Sequence, residues 1–240
     1  MKINANNLVK IYDNRTVVNN ISVEVNSGEV VGLLGPNGAG KTTTFYMIVG
    51  LVRAESGQIF LDDKDLTNEP IHSRANLGIG YLPQETSIFR RLTVEENIKL
   101  VLEMNNKLDN NQKKEKLEEL LNDFGIEKLR SVSSVKLSGG ERRRVEIARA
   151  LAASPRFILL DEPFTGIDPI AILEIQEHIR KLTERNIGVL ITDHNPKATL
   201  SITDRAYIIF DGQIKITGNS KDVAQNPDAK KYYLGDDFRL

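Results

Sequence analysis

Residues 30–42 read VVGLLGPNGAGKT, and this stretch decides the fold. The run from Val30 to Leu34 is almost wholly apolar and does not alternate, which is typical of a strand buried on both faces. The GPNGAGKT that follows matches the pattern G-x-x-x-x-G-K-S/T of a phosphate-binding loop. Phe45, Ile48 and Val49 then have helical spacing. Strand, glycine-rich loop and helix in this order predict an α/β fold that binds phosphate groups.

The residue types of this loop suit a nucleotide. Successive backbone amides can surround the phosphates, Lys41 supplies a positive charge to the β- and γ-phosphates, and the Thr42 hydroxyl can bind Mg²⁺. A chance glycine-rich turn is the alternative, and the flanking strand and helix make it the weaker one. The predicted nucleotide-binding residues of the loop are Gly35, Pro36, Asn37, Gly38, Ala39, Gly40, Lys41, Thr42 and Thr43.

Two adjacent carboxylates end a second apolar run, FILLDEP at residues 157–163. Burial and mutual repulsion oppose the ionisation of Asp161 and Glu162 unless a positive charge compensates them. A metal ion would supply that charge. Asp161 is predicted to orient the Mg²⁺ shell, and Glu162, on the opposite side of the strand, to act as general base toward an attacking water. The alternative is a carboxylate pair that caps a following helix.

The sequence LSGGE at residues 137–141 distinguishes among the protein families that share these two motifs. It resembles the signature motif of ATP-binding cassette proteins. Ser138 and Glu141 also have the spacing of a capping box, so the simplest alternative is a well-capped helix start. Arg142, Arg143 and Arg144 follow in the first turns, where the helix dipole disfavours cations. We therefore expect an anion at this end of the helix.

The resemblance to ATP-binding cassette ATPases implies ATP and Mg²⁺ as cofactors and a head-to-tail homodimer with two nucleotides between its copies. The signature motif of one copy would close over the γ-phosphate held by the other. The residues implied for this contact are Ser138, Gly139, Gly140, Glu141 and, in the dimer loop, Asp168. Alternatively, Asp168 only caps a helix that starts at Pro169.

The same resemblance assigns roles to two positions that are weak signals alone. Tyr12 would stack on adenine. Gln84 would meet Mg²⁺ and sense the partner copy, so that the implied Mg²⁺ ligands are Thr42, Gln84 and Asp161. Without the resemblance, Tyr12 is interpreted as a surface tyrosine and Gln84 as a polar loop residue.

His194 resembles the switch histidine of the family, which contacts the γ-phosphate and holds the attacking water. It follows the apolar run at residues 188–192. Asn195 is a favoured helix cap and Pro196 a favoured first helical residue, so His194 is predicted at a strand-to-helix junction. Ligands of α/β folds bind at that edge of the sheet, and His194 joins Glu162 as a candidate catalytic residue.

Within the family, the chain resembles the ATPases of lipopolysaccharide export. The segments that carry this resemblance include YLPQETSIFRRLTVEENI from Tyr81, LSGGERRRVEIARAL from Leu137 and YLGDDFRL from Tyr233. The resemblance implies two transmembrane permease subunits and associated export components as partners. The ATPase of a branched-chain amino-acid importer and a non-transport member, such as an iron–sulfur assembly subunit, remain alternatives.

The loop after Gln84 is the implied contact with a permease subunit. By resemblance its groove receives a coupling helix, with Phe89 as an apolar anchor and Arg90 and Arg91 as polar contacts. The alternative is an ordinary surface loop. Two departures from the pattern are present. The stretch NPKATL from Asn195 differs from the pattern expected there, and Thr165 and Ile167 stand where the resemblance predicts Ala and Val. Neither departure removes a predicted catalytic group.

Composition describes an ordinary globular chain. With 240 residues and a formal net charge of -1, there is no basic excess to hold a nucleic-acid backbone, so direct nucleic-acid binding is not expected. The absence of cysteine excludes disulfides and a cysteine nucleophile. No apolar run approaches the roughly 18 residues of a membrane-spanning helix. We expect a cytoplasmic protein, peripheral on the cytoplasmic face of the inner membrane through its partners.

The predicted fold class is α/β: a phosphate-loop nucleotide-binding domain with a mainly parallel core sheet, an antiparallel β subdomain and an inserted helical subdomain. One domain, residues 1–240, is predicted. Residues 1–84 and 155–240 would form the nucleotide-binding core and β subdomain, and residues from about 85 to 154 the helical subdomain with the signature motif. Residues 105–116, NNKLDNNQKKEK, are predicted as a solvated junction between helices.

Overall fold

The computed structural model describes residues 1–106 and 108–240, which form two sheets and a set of flanking helices. The strands are β1 (Lys2–Tyr12), β2 (Arg15–Asn26), β3 (Val30–Leu34), β4 (Ser56–Leu61), β5 (Lys64–Asp65), β6 (Ile79–Leu82), β7 (Phe157–Asp161), β8 (Gly188–Thr192), β9 (Arg205–Phe210) and β10 (Gln213–Asn219). The helices are α1 (Lys41–Val49), α2 (Ile71–Asn76), α3 (Val94–Met104), α4 (Asn110–Asp123), α5 (Gly139–Ala152), α6 (Pro169–Glu184), α7 (Pro196–Leu200), α8 (Ser220–Gln225) and α9 (Pro227–Ala229).

The larger sheet has six strands in the order β10-β9-β3-β8-β7-β6. Its neighbours pair in parallel from β9 through β6, and only β10 runs antiparallel, to β9. Every residue of β3, β7 and β8 is buried, which explains why these strands are apolar without alternation. The β9–β10 turn has positive φ at both Asp211 and Gly212, as a tight hairpin requires. The predicted parallel α/β core is confirmed.

The smaller sheet is antiparallel, in the order β2-β1-β4-β5. Its strand β1 contains an irregularity near its middle. Asn7 has a φ of 51°, and the register with β2 shifts between Ala5 and Leu8. This bulge breaks the alternation of apolar and polar residues that identifies a strand in a sequence.

Among the described residues, the α-helices α3, α4 and α5 lie between β6 and β7. Ile98 and Leu102 of α3 and Leu120 and Leu121 of α4 are buried in one apolar cluster with residues of the large sheet. The prediction of a junction over residues 105–116 was wrong in its second half. Asp109 caps α4, so that the helix starts at Asn110. Lys107, which also belongs to the predicted junction, lies outside the described residues. The limits of the helical subdomain stay a prediction.

The final segment folds back on the core. After α9, residues Lys230–Leu234 form a π-helical turn. Tyr232, Tyr233 and Phe238 pack against a cluster that includes Leu34, the last residue of β3. Within the part of the chain that the structure describes, none of the helices combines the length and hydrophobicity needed to span a bilayer.

Candidate active site

The phosphate loop connects β3 to α1, and two of its glycines are fixed by packing. An added Cβ at Gly35 would lie 2.1 Å from the carbonyl oxygen of Ile209, and one at Gly40 would lie 2.7 Å from that of Val17. Both residues also have positive φ, 151° and 102°. Only glycine fits at these positions, so the spacing of the motif reflects close contact between the loop and neighbouring backbone.

Lys41 points into the loop that precedes it. Its Nζ donates hydrogen bonds to the carbonyl oxygens of Gly35, at 2.8 Å, and Pro36, at 2.9 Å. Burial lowers the pKa of Lys41, and the nearby carboxylates of Glu162 and Asp161 partly oppose that shift. The ammonium group therefore lies in the loop and faces the two carboxylates that end β7, as the two motifs together predict.

Asp161 is the last residue of β7 and is fully buried. Burial, and next the charge of Glu162, raise the pKa of Asp161 to about 6. The Tyr81 hydroxyl donates to Oδ2 at 3.4 Å, whereas Oδ1 has no hydrogen-bond partner. A buried acceptor without a donor, beside a second carboxylate, fits a divalent cation, so the chemistry of this position agrees with the Mg²⁺ prediction.

Glu162 lies just beyond β7 and is only 6% exposed. Its φ of 48° places it in the left-handed region, where its amide donates to the carbonyl oxygen of Thr192 at 2.8 Å. Its carboxylate has two partners on different oxygens. Oε1 lies 2.5 Å from Nε2 of His194, and Oε2 accepts from the Thr165 hydroxyl at 3.1 Å. The structure thus brings together the two residues predicted to be catalytic.

The loop that carries His194 is held by hydrogen bonds at both ends. The carboxylate of Asp193 accepts from the amide of Phe164 at 2.8 Å and from that of Asn195 at 2.9 Å. Asn195 caps α7 by accepting from the amide of Ala198, as the sequence predicts. The His194 side chain is 45% exposed, so it contacts Glu162 on one side and is open to a ligand on the other.

The signature residues begin α5. Ser138 caps the helix, and its amide donates to Oε2 of Glu141 at 2.8 Å while its Oγ accepts from the Glu141 amide at 3.3 Å. Asp168 caps α6 by accepting from the amides of Ile170 and Ala171. The capping function of both residues is therefore present in the single chain, and their roles toward a second copy stay predictions.

The three arginines at the start of α5 have partners within the chain. Arg142 donates to the carbonyl oxygen of Leu137, and Arg144 pairs with Glu174 at 2.9 Å. Arg143 donates to the carbonyl oxygen of Asp161 and pairs with a buried glutamate one turn later in α5. The arginines therefore do not by themselves indicate an anion, and the anion expected at this end of the helix stays a prediction.

Tyr12 and Gln84 are both at the surface. Tyr12 is 43% exposed, and the Lys10 ammonium lies 5.2 Å from the centre of its ring. Gln84 is exposed in the loop after β6. Their roles toward adenine and Mg²⁺ stay predictions.

The loop at Phe89 has its three predicted contact residues exposed, with Phe89 at 47% and Arg90 and Arg91 beside it. Three buried or half-buried polar side chains behind it were not predicted. Glu146 accepts from the Ser87 amide at 2.7 Å, Arg149 donates to the Ser87 carbonyl at 2.7 Å, and Asn97 accepts from the Phe89 amide at 2.9 Å.

A signal for these supporting residues exists in the sequence. Asn97 lies between Val94 and Ile98 on the apolar face of α3, and Glu146 lies between the buried Val145 and Ile147. A polar residue at a buried helical position needs a partner, so each such position indicates a hydrogen bond to another segment. The sequence does not say which segment.

Comparison with known proteins identifies the family. Residues 18–165 match the family model described as ABC transporter. The chain is 54% identical over 238 residues to the lipopolysaccharide export system ATP-binding protein LptB of Escherichia coli strain K12, with 99% of both chains covered. The protein of the same name from Haemophilus influenzae is 56% identical over 238 residues, again with 99% of both chains covered.

Solved structures agree with these relatives. A crystal structure of the ADP conformation of an ABC transporter's ATP-binding cassette matches with a TM-score of 0.87 at 30% identity, covering 98% of this chain and 100% of that one. A dimeric ATP-binding cassette in a post-hydrolysis state, bound to ADP and phosphate, matches with a TM-score of 0.79 at 25% identity, covering 91% and 98%. With a phosphate loop that encloses Lys41 and a carboxylate pair opposite it, the chain belongs to the ATP-binding cassette family of ABC transporters.

Proposed function

We propose that this chain is the ATP-hydrolysing subunit of a transporter that exports lipopolysaccharide. The main support for ATP hydrolysis is the contact between Oε1 of Glu162 and Nε2 of His194, which are 2.5 Å apart. Glu162 lies opposite Lys41 in the phosphate loop. The cargo follows from the relatives, which are named for lipopolysaccharide export and match nearly the full length of the chain. This support favours export over the amino-acid importer and the iron–sulfur assembly subunit.

The proposed reaction uses the side chains in these positions. Lys41 and the amides of the phosphate loop bind the β- and γ-phosphates. Glu162 accepts a proton from a water whose oxygen forms a bond to the γ-phosphorus, while the bond to the β–γ bridging oxygen breaks. His194 holds that water against the γ-phosphate. Thr42, Gln84 and Asp161 would hold Mg²⁺, which when bound neutralises charge on the phosphates.

The second nucleotide-contacting surface would come from another copy of the chain. Ser138, Gly139, Gly140, Glu141 and Asp168 lie at the starts of α5 and α6, where helix N-termini present amides to an anion. The structural relative described as a dimer bound to ADP and phosphate supports a homodimer.

The membrane partners would be two permease subunits of the LptF/LptG kind with associated export components. The exposed aromatic ring of Phe89 and its two neighbouring arginines suit a helix from such a subunit. The chain would then work at the cytoplasmic face of the inner membrane.

Two substitutions test the hydrolytic site. Glu162→Gln removes the proton acceptor but keeps the shape of the side chain, so we expect ATP binding near the normal level and a hydrolysis rate lower by about 10²-fold or more. Lys41→Ala removes the buried ammonium, so we expect weak nucleotide binding as well. Equilibrium ATP binding and phosphate release measure the two effects separately. Hydrolysis at the normal rate by Glu162→Gln would overturn the general-base assignment.

A further inference from the structure

The residues after Glu162 form a tight turn that holds its carboxylate from one side. The amide of Thr165 donates to the carbonyl oxygen of Glu162 at 3.3 Å, which closes a four-residue turn. Pro163 occupies the second position, where its fixed φ suits a turn. Phe164 is anchored in the third position, because its amide donates to the Asp193 carboxylate at 2.8 Å. The turn is therefore fixed to the loop that carries His194.

From this turn the Thr165 hydroxyl donates to Oε2 of Glu162 at 3.1 Å. The other oxygen, Oε1, faces Nε2 of His194. A glutamate side chain has three rotatable bonds, and burial alone does not select one orientation of its carboxylate. Two donors on separate oxygens do select one, since rotating the carboxylate would break both contacts.

We propose that Thr165 is a positioning residue for hydrolysis, one that holds the Glu162 carboxylate in the orientation from which it accepts a proton from water. The inference rests on the proposed role of Glu162 as general base. Thr165 does not touch the reacting atoms and acts through Glu162. An alanine at this position, which the family resemblance predicts, would have no hydroxyl, so this chain has a support that such a relative would lack.

The size of the effect follows from exposure. Thr165 is exposed in the single chain, so a water molecule can partly replace its hydroxyl. We therefore expect loss of the hydroxyl to lower kcat by roughly three- to tenfold, the range of one solvent-accessible hydrogen bond, with the KM for ATP unchanged.

Three substitutions at Thr165 separate the hydroxyl from the shape of the side chain. Thr165→Val keeps the shape and removes the hydroxyl, whereas Thr165→Ser keeps the hydroxyl and removes the methyl group. We expect Thr165→Val and Thr165→Ala to lower kcat equally and Thr165→Ser to retain most of it. Steady-state ATP hydrolysis by the full chain gives kcat and KM, and thermal unfolding checks that each variant folds.

The outcomes distinguish this inference from the function on which it rests. If Thr165→Val hydrolyses ATP as fast as the unsubstituted chain while Glu162→Gln is inactive, the positioning role is wrong and the general base stands. A defect in Thr165→Ser that equals the defect in Thr165→Val would also overturn it, because shape and not the hydroxyl would then matter. Normal hydrolysis by Glu162→Gln would overturn the general-base assignment, and the positioning role that rests on it would fall with it.

Discussion

Asp161 has surroundings that are unfavourable for a negative charge when no ligand is bound. Its side chain is fully buried, one carboxylate oxygen has no hydrogen-bond partner, and Glu162 follows directly in the chain. These surroundings raise its pKa from 3.8 to about 6. Above pH 6 the folded protein holds this charge with only partial compensation from Arg143 and Lys41 unless a cation binds. The charged carboxylate therefore lowers the stability of the unliganded protein and favours cation binding.

This cost predicts a stabilising substitution. Because the folded state binds the Asp161 proton more tightly than the unfolded state, stability falls as pH rises from 3.8 to about 6 and the cost is complete above that pH. Asp161→Asn removes the charge and should raise the unfolding free energy at pH 8 by about 1–3 kcal/mol in the absence of nucleotide. The gain should vanish near pH 4. Denaturant unfolding at the two pH values measures it.

An exposed carboxylate provides the control. Asp63→Asn changes the same chemical group at the surface, so we expect no stabilisation at either pH. Equal gains from both substitutions would show that net charge, and not the buried site, controls stability. A loss of stability in Asp161→Asn at pH 8 would contradict the assigned cost.

A site residue can be predicted from the sequence when the residues that it contacts are close to it along the chain. Lys41, Glu162 and His194 were predicted because each belongs to a short motif beside a buried strand. Tyr81 was missed, since its contact with Asp161 spans 80 positions and no local pattern marks it. Thr165 was noted only as a departure from a pattern. Its hydrogen bond depends on the left-handed backbone of Glu162, which neighbouring residues do not dictate.

Among the elements, α5 and α6 make the tightest crossing near the signature motif. An added Cβ at Gly140 would lie 2.6 Å from the Cβ of Ala171, closer than two carbon atoms approach. Gly139 lies beside the loop that precedes α6, where its own added Cβ would be 3.2 Å from the carbonyl oxygen of Gly166. The starts of these two helices are therefore packed as one unit.

Because Gly140 and Ala171 meet where the two helices cross, a substitution at one position should offset the loss of stability caused by a substitution at the other. Gly140→Ala should lower the unfolding free energy by about 1–2 kcal/mol, because the clash outweighs the better helix propensity of alanine. Ala171→Gly removes the opposing Cβ, so the double variant should be more stable than Gly140→Ala alone. Urea unfolding of the three variants measures the coupling. A Gly140→Ala variant as stable as the unsubstituted chain would show that the helices can separate without cost.

Helices and strands could be predicted where a short stretch of the sequence has a clear pattern of apolar and polar residues. The buried strands β3 and β8 have the predicted limits, because a fully apolar run bounded by glycine or polar residues identifies them. The start of α4 was missed because a polar run hid a capping box, and the bulge in β1 interrupts the alternation that would identify that strand. Strand order in both sheets depends on contacts between distant segments and could be expected only from the family resemblance.

At the scale of the whole molecule, the large sheet is packed on both faces. One apolar cluster joins β7 and β8 to the three helices α3, α4 and α5, and a second joins the other face to the small sheet and α1. The loop at Phe89 is held by side chains of α3 and α5, so it belongs to the helical side of the molecule. Movement of that side would carry the loop with it.

A substitution in the exposed loop at Phe89 should weaken the binding of permease subunits without changing ATP hydrolysis. Phe89→Ala should lower the recovery of permease subunits from solubilised membranes by about tenfold, the effect of losing an aromatic anchor. Basal ATP hydrolysis should not change, since Phe89 lies outside the nucleotide site. Affinity capture followed by mass spectrometry of proteins and lipids measures recovery and cargo together.

Met104→Ala is the matched control for this experiment. Met104 is 76% exposed on α3 and is also an apolar side chain of the helical side. Its substitution should not affect recovery. Equal losses from both variants would point to a general surface effect and contradict the role of Phe89. Recovery of an amino-acid permease would leave the ATPase in place and replace the cargo.

The contact between Tyr81 and Asp161 gives the site an optical signal of its own. The chain has six tyrosines and no tryptophan, so tyrosine dominates its near-ultraviolet absorbance and fluorescence. The Tyr81 hydroxyl lies 3.4 Å from Oδ2 of Asp161, and its ring meets Tyr46 edge to face with centres 6.3 Å apart. A cation that binds the carboxylate changes the electric field at this phenol. Ligand arrival therefore shifts an absorption band that the protein already has, and it can be followed without any attached dye.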